Sequence, residues 1–169
     1  MGTTKTKSFP DLALAQIAWV VKDINTSLKF FSDSLGIRGF GKPQIIRVKE
    51  YDATYYGEPS DAESLVTMTY SGGTFIELIQ PLSGKSVFQD YLDKNPAGGV
   101  QHIAYRLPVD KLDEVISEYV GNGFSVISSF DTPIAKIVFF DTSKQIGVMT
   151  EIMGITKEGE AAIDMMKTT

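Results

Sequence analysis

QIAW at residues 16–19 and HIAY at residues 102–105 read as two copies of one short strand, and the fold follows from that match. Each copy starts on a polar side chain, Gln16 or His102, and runs on into Ile, Ala and an aromatic residue. A second pair of segments matches as well: Ile76-Glu77-Leu78-Ile79 corresponds to Thr150-Glu151-Ile152-Met153. The opening residue lies 61 positions before the closing Glu in the first half and 49 in the second. The difference of 12 fits an insertion between Gly41 and Ser64. A repeat of this kind sets the architecture before any single element is assigned.

Working outward, each half reads as βαβββ. Leu14–Val21 is a strand, and Asp23 or Asn25 caps a helix with the apolar stripe Ile24, Leu28, Phe31 and Leu35, closed by Gly36. Residues 37–64 are looser, with β-like pieces at 45–48 and 53–56. Leu65–Tyr70 and Thr74–Gln80 form a hairpin about Ser71-Gly72-Gly73. A short helix is expected over Ser86–Leu92. In the second half Val100–Leu107 is a strand, and Asp110 caps a helix with Leu112, Val115, Ile116 and Tyr119 inward. Strands follow at Phe124–Ser128, Ile134–Phe140 and Gly147–Met153, with 141–145 as a polar hairpin turn. A last amphipathic helix is expected near Lys157–Lys167. The fold class is α+β: two tandem βαβββ modules, related by a pseudo-twofold axis, forming curved mixed sheets around a cleft open to solvent. The expected boundaries are a tail at 1–11, modules at 12–82 and 100–154 joined by a linker at 83–99, and a helical segment at 155–169.

Composition narrows the function. The 169 residues are 43% hydrophobic and 22% charged, a globular balance. Sixteen Lys and Arg against 21 Asp and Glu give a net charge of −5 and a pI near 4.9, which argues against a nucleic-acid partner. The longest apolar runs are too short to span a membrane, and residues 1–9 have no signal-peptide core. A cytoplasmic location is expected. The absence of cysteine excludes disulfides, thiolate metal sites and cysteine nucleophiles. There is one histidine, so no mechanism can use two imidazoles of one chain. Two motifs fail: Ser83-Gly84-Lys85-Ser86 lacks the first glycine of a phosphate loop, and Asn25-Thr26-Ser27 is a sequon at a helix start.

Four polar residues fall where apolar ones are expected. Glu77 shares a strand face with Phe75 and Ile79, Glu151 with Met149 and Met153, Gln16 with Leu14 and Ala18, and His102 with Val100 and Ala104. Singly, each has an ordinary reading: a hydrogen-bonded histidine, a satisfied amide, a glutamate facing solvent. Jointly they do not. Two carboxylates in apolar surroundings, at matched positions of a duplicated module, need a shared cation. A divalent metal provides one, and Gln16, Glu77, His102 and Glu151 all carry ligand atoms.

The chain resembles the vicinal-oxygen-chelate superfamily of glyoxalases, methylmalonyl-CoA epimerases, extradiol dioxygenases and antibiotic-resistance proteins. Ile17–Gly36 is similar to the family's opening strand and helix, and Phe75–Pro81, Gly98–Tyr105 and Phe139–Ile152 to its other landmarks. The resemblance implies metal ligation by Gln16, Glu77, His102 and Glu151, a set similar to that of zinc-type glyoxalase I. Epimerases of the family usually have His first and Gln second, and its dioxygenases and fosfomycin-modifying members need two His. The arginines that would anchor glutathione are replaced by Val20 and Gly98, and an expected asparagine by Pro81. Arg38, Arg47, Lys49 and Arg106 remain as candidate anion contacts, and Tyr51, Tyr55 and Tyr56 as candidate pocket linings.

These residues and that resemblance imply a divalent-metal-dependent isomerase, epimerase or lyase (Zn, Ni, Co or Mn) acting on a small carbonyl or acyl thioester through an enolate. Glu151 is the first candidate for the base and Glu77 the second. The alternatives are an oxygenase with an atypical iron site and a metal-free binding protein for a drug-like molecule. The partner expected is a small-molecule substrate, with no nucleic acid and no membrane; a homodimer is the oligomer the resemblance allows.

Overall fold

A computed structural model describes residues 11–167, so most of the expected tail lies outside the described residues. One ten-stranded sheet carries the chain, in the order β2-β5-β6-β1-β7-β10-β9-β8-β3-β4. Its centre is the antiparallel pair β1 (Ala13–Val20) and β7 (Gly99–Pro108). On one side of this pair β6 (Thr74–Ser83) runs parallel to β1, followed by β5 (Glu63–Ser71) and β2 (Gln44–Arg47). On the other side β10 (Met149–Ile155) runs parallel to β7, followed by β9 (Ala135–Phe140) and β8 (Val126–Asp131). The two flanks mirror each other about the β1–β7 seam, as the repeat requires. The sheet curves into a half-barrel, and its concave face holds the site.

Two helices, α1 (Ile24–Asp33) and α3 (Leu112–Gly121), cover the opposite face, while α2 (Val87–Lys94) and α5 (Lys157–Lys167) pack on the concave side. In α1 Asp23 is the cap, its carboxylate accepting the Thr26 N–H at 2.6 Å. Ile24 and Phe31 bury against Ile76 and Leu78, the outward residues of β6, with Trp19 edge-on to Phe31. Leu35, expected in the stripe, is 52% exposed. The helix has ended by then, with Gly36 at φ 70° turning the chain and Ile37 N–H bonding back to the Phe31 carbonyl. The matching helix α3 (Leu112–Gly121) packs Leu112 and Val115 on Leu107, Val138, Phe140 and Ile152, with Ile116 and Tyr119 beside them. Between the halves, α2 (Val87–Lys94) is capped by Ser86 and lies across β1 and β6.

The β-like piece expected at 53–56 is present as β3 (Thr54–Tyr55), and it pairs with β8 of the second half, with β4 (Glu58–Pro59) pairing in turn with β3. The insertion therefore crosses the molecule and closes the far edge, with the Thr54 and Ser129 hydroxyls bonded to each other and the Ser128 hydroxyl donating to the Thr54 carbonyl. The turn after Phe140 is wound as a one-turn helix, α4 (Ser143–Ile146), because the Asp141 carboxylate accepts the Ser143 N–H and Gly147 takes a left-handed φ of 81°. Lastly, α5 (Lys157–Lys167) leaves β10 and reaches back over the concave face to β5. No helix of the described residues is long and apolar enough to cross a membrane.

Candidate functional site

The four central strands deliver one polar side chain each. Across the sheet Ala18 lies level with both Glu77 and His102, and Ala104 with both Gln16 and Glu151. Each alanine is fully buried and carries only a methyl group, which leaves room for the longer heads on either side to lean together. They meet at one place. Gln16 Nε2 donates to Glu77 Oε2 at 2.9 Å and to Glu151 Oε2 at 3.1 Å. His102 Nε2 lies 2.9 Å from Glu151 Oε2, 3.6 Å from Glu77 Oε2 and 3.4 Å from Gln16 Nε2. All four residues are buried, and His102 has no exposed surface.

The His102 ring is held on every side. Phe88 of α2 lies over it and Phe139 of β9 meets it edge-on at 5.1 Å. On the far side of the ring, Nδ1 is 2.6 Å from Gln101 Oε1. An amide oxygen only accepts, so Nδ1 carries a hydrogen and donates it to Gln101, and Nε2 faces the two glutamates. Gln101 was not singled out from the sequence. A strand alternates faces, and the neighbour of His102 should point away from it. It does not, because the β1–β7 register skips a residue here: Trp19 pairs with Val100 and Ala18 with His102. Gln101 is the extra residue of a β-bulge, which re-aims its side chain. Two adjacent polar residues inside an apolar strand were the available signal.

Burial works against charge in this cluster. It pushes the Glu77 carboxyl up, against the opposing pull of His102. Burial also pulls the His102 imidazole down, but the Glu151 and Glu77 carboxylates outweigh it and raise its pKa to about 9. Among the described residues no three His, Cys, Asp or Glu heads form an open metal cage. The cluster is closed by its own hydrogen bonds, with an amide as one of its four heads. The donor set nevertheless fits a divalent ion: two carboxylates, one imidazole nitrogen oriented by its neighbour, and an amide that can offer oxygen. Ligands bound at about 2.1 Å stand roughly 3.0–3.4 Å apart in octahedral or tetrahedral geometry. The separations of 2.9–3.6 Å observed here are of that size.

Gln16, Glu77 and Glu151 line a cavity of about 420 Å³. The rest of its wall is largely apolar. Val66, Met68 and Tyr70 come from β5, Ile137 and Phe139 from β9, and Ile163 and Met166 of α5 complete it. Tyr51 reaches this cavity, as expected. Tyr55 and Tyr56 do not. Tyr55 hydrogen-bonds the Asp90 carboxylate, and Tyr56 lines a separate cleft beside Gln101 and Met149. Of the candidate anion contacts, Arg106 lines the cavity and is paired with Glu160 of α5. Arg47 pairs with Glu63 at 3.1 Å, and neither Arg38 nor Lys49 lines the cavity.

Residues 15–140 match the family described as the Glyoxalase/Bleomycin resistance protein/Dioxygenase superfamily. An ethylmalonyl-CoA/methylmalonyl-CoA epimerase of Cereibacter sphaeroides is 29% identical over 126 residues, covering 72% of this chain and 84% of that protein. The mitochondrial methylmalonyl-CoA epimerase of Dictyostelium discoideum is 30% identical over 102 residues, 55% of this chain and 58% of its own length. Among solved structures, the methylmalonyl-CoA epimerase of Mycobacterium tuberculosis superposes with a TM-score of 0.62 at 19% identity, over 88% of this chain and 91% of that one. This last likeness is one of fold.

Proposed function

The chain belongs to the Glyoxalase/Bleomycin resistance protein/Dioxygenase superfamily, and from that premise we propose that it is a divalent-metal-dependent epimerase of an acyl thioester with an acidic α-hydrogen. The observation that carries the reading is the meeting of Gln16, Glu77, His102 and Glu151 beside a largely apolar cavity that the first, second and fourth of them line. The similarity to two acyl-CoA epimerases supports the substrate class.

A divalent ion held by these four residues would supply positive charge where a substrate carbonyl oxygen becomes an enolate. The chain's own residues do the rest. Glu151 takes the α-proton as the C–H electron pair moves into the forming carbon–carbon double bond and the carbonyl oxygen gains the charge. Inversion needs a proton returned to the opposite face, and Glu77, whose strand β6 lies across the β1–β7 seam from the β10 strand of Glu151, is our candidate for that role. His102 and Gln16 orient the two carboxylates, and the apolar wall excludes water that would quench the carbanion.

Exchange of the α-proton with deuterated water is the test. Glu151→Gln should keep metal, since an amide oxygen still coordinates, and lose roughly 10²–10⁴-fold in exchange rate. His102→Ala should lose metal and activity together. If Glu151→Gln keeps both metal and the wild-type rate, Glu151 is a ligand and not the base. A metal-free binding protein is the second reading, favoured by one fact: the four heads already satisfy one another, and among the described residues no buried side-chain polar atom lacks a partner. Failure to take up Zn, Ni, Co or Mn under any loading condition would establish it.

A further inference from the structure

We infer that the group on the substrate's α-carbon is a bulky hydrocarbon or aromatic one, considerably larger than methyl; the inference rests on the epimerase reading. The first observation is size. An apolar cavity of about 150 Å³ already takes up benzene, and this one holds about 420 Å³. A methyl group beside the cluster would leave most of that space to water against apolar walls. The second observation is where polarity lies. Gln16, Glu77 and Glu151 stand together, while most of the remaining wall is apolar, with Met68, Phe130, Ile137, Met153 and Ile163 among it and Ser64, Thr132 and two tyrosines as its uncharged polar members. The third is that the cations reaching the cavity are already engaged: Arg106 by Glu160, and Lys167 by Asp164 at 3.0 Å. Each of these cations thus already has a carboxylate partner within the chain. A substrate that fills the space therefore presents its chelating oxygens to the cluster and a hydrocarbon to the wall. A nucleotide-sized carrier would stay outside.

The roof explains how such a group is enclosed. Thr156 accepts the Gly159 N–H at the start of α5, and Gly159 packs so closely on the Ile134 carbonyl that a Cβ there would come within 2.2 Å of it. The helix is thereby fixed at its first turn and lays Ile163 and Met166 over the cavity.

The experiment uses the full chain loaded with Zn, Ni, Co or Mn. It compares α-proton exchange for methylmalonyl, butylmalonyl and benzylmalonyl thioesters of one carrier, and measures binding of each by calorimetry. Burial of a methylene is worth about fourfold in affinity, so kcat/KM should rise at least tenfold from methyl to butyl or benzyl, mostly through KM. The variant Ile163→Trp, which fills the chamber from the roof, should lower the benzyl-to-methyl ratio of kcat/KM by at least tenfold. Exchange that is fastest with methylmalonyl overturns the inference and leaves the epimerase reading standing. Binding of the benzyl compound without exchange overturns the epimerase reading and keeps the chamber's preference. Neither binding nor exchange with any thioester overturns both.

Discussion

The chain's one histidine makes His102 a reporter that nothing else in the spectrum overlaps. Its tautomer is held by Gln101, whose amide oxygen lies 2.6 Å from Nδ1. Gln101→Leu should leave the fold intact and weaken metal binding by about 10–100-fold, the usual effect of removing the partner that orients a ligand histidine. Imidazole nitrogen spectra of the loaded protein should show hydrogen on Nδ1 in the wild type and a loss of that preference in the variant. Unchanged metal affinity and an unchanged tautomer would sink the idea. The pH dependence has a definite sign. Without metal, His102 keeps its proton up to about pH 9, above the usual imidazole range. A metal must displace that proton, so affinity should rise roughly tenfold per pH unit from this group until about pH 9. Titrations at pH 6, 7 and 8 test it, and a plateau above pH 7 would mean that His102 is an ordinary imidazole. The four polar heads were legible in the sequence because each breaks an apolar strand face and each has a counterpart in the other half. Gln101 was not, since period-two reasoning sends it to the wrong side and only the bulge brings it back.

Among the elements, what could be read is what depends on local order. The amphipathic stripe of α1, its Asp23 cap and the inward set of α3 follow from side chains three and four residues apart. The path of the insertion does not. Thr54 and Tyr55 find their partners at Ser129 and Ser128, more than seventy residues away, and nothing near them in the chain encodes that pairing. One junction between elements is unusually intolerant. Gly98 enters β7 at φ 75°, and a Cβ on it would meet the Val20 carbonyl oxygen at 2.5 Å. Gly98→Ala therefore combines a left-handed backbone with a clash against the central strand β1, and should cost at least about 2 kcal/mol. Gly121→Ala, at the end of α3 with nothing within 4 Å of the added methyl, should instead be neutral or stabilise by about 0.5–1 kcal/mol. Urea unfolding of the two variants side by side checks the contrast, and equal midpoints would refute it.

At the scale of the molecule, the duplicated sequence makes the two halves look separable, and the structure joins them. Their seam is the β1–β7 pair at the middle of a continuous sheet, β3 and β4 of the first half close the edge of the second, and α5 of the second half reaches β5 of the first. The cluster is shared in the same way, Gln16 and Glu77 coming from one half and His102 and Glu151 from the other. A ligand bound to all four should therefore stabilise the whole chain and not one module. At about a hundred times its Kd, a metal that binds only the folded state adds about 2.7 kcal/mol. In a chain of this length that corresponds to roughly 5–10 °C in Tm. Unfolding followed by Trp19 fluorescence, which reports the first half, and by far-UV circular dichroism, which reports both, should move together by that amount in a single transition. His102→Ala should abolish the shift in both signals. If metal raised only the second-half component, leaving the Trp19 transition where it was, the site would belong to one module and the shared four-residue cluster would be wrong.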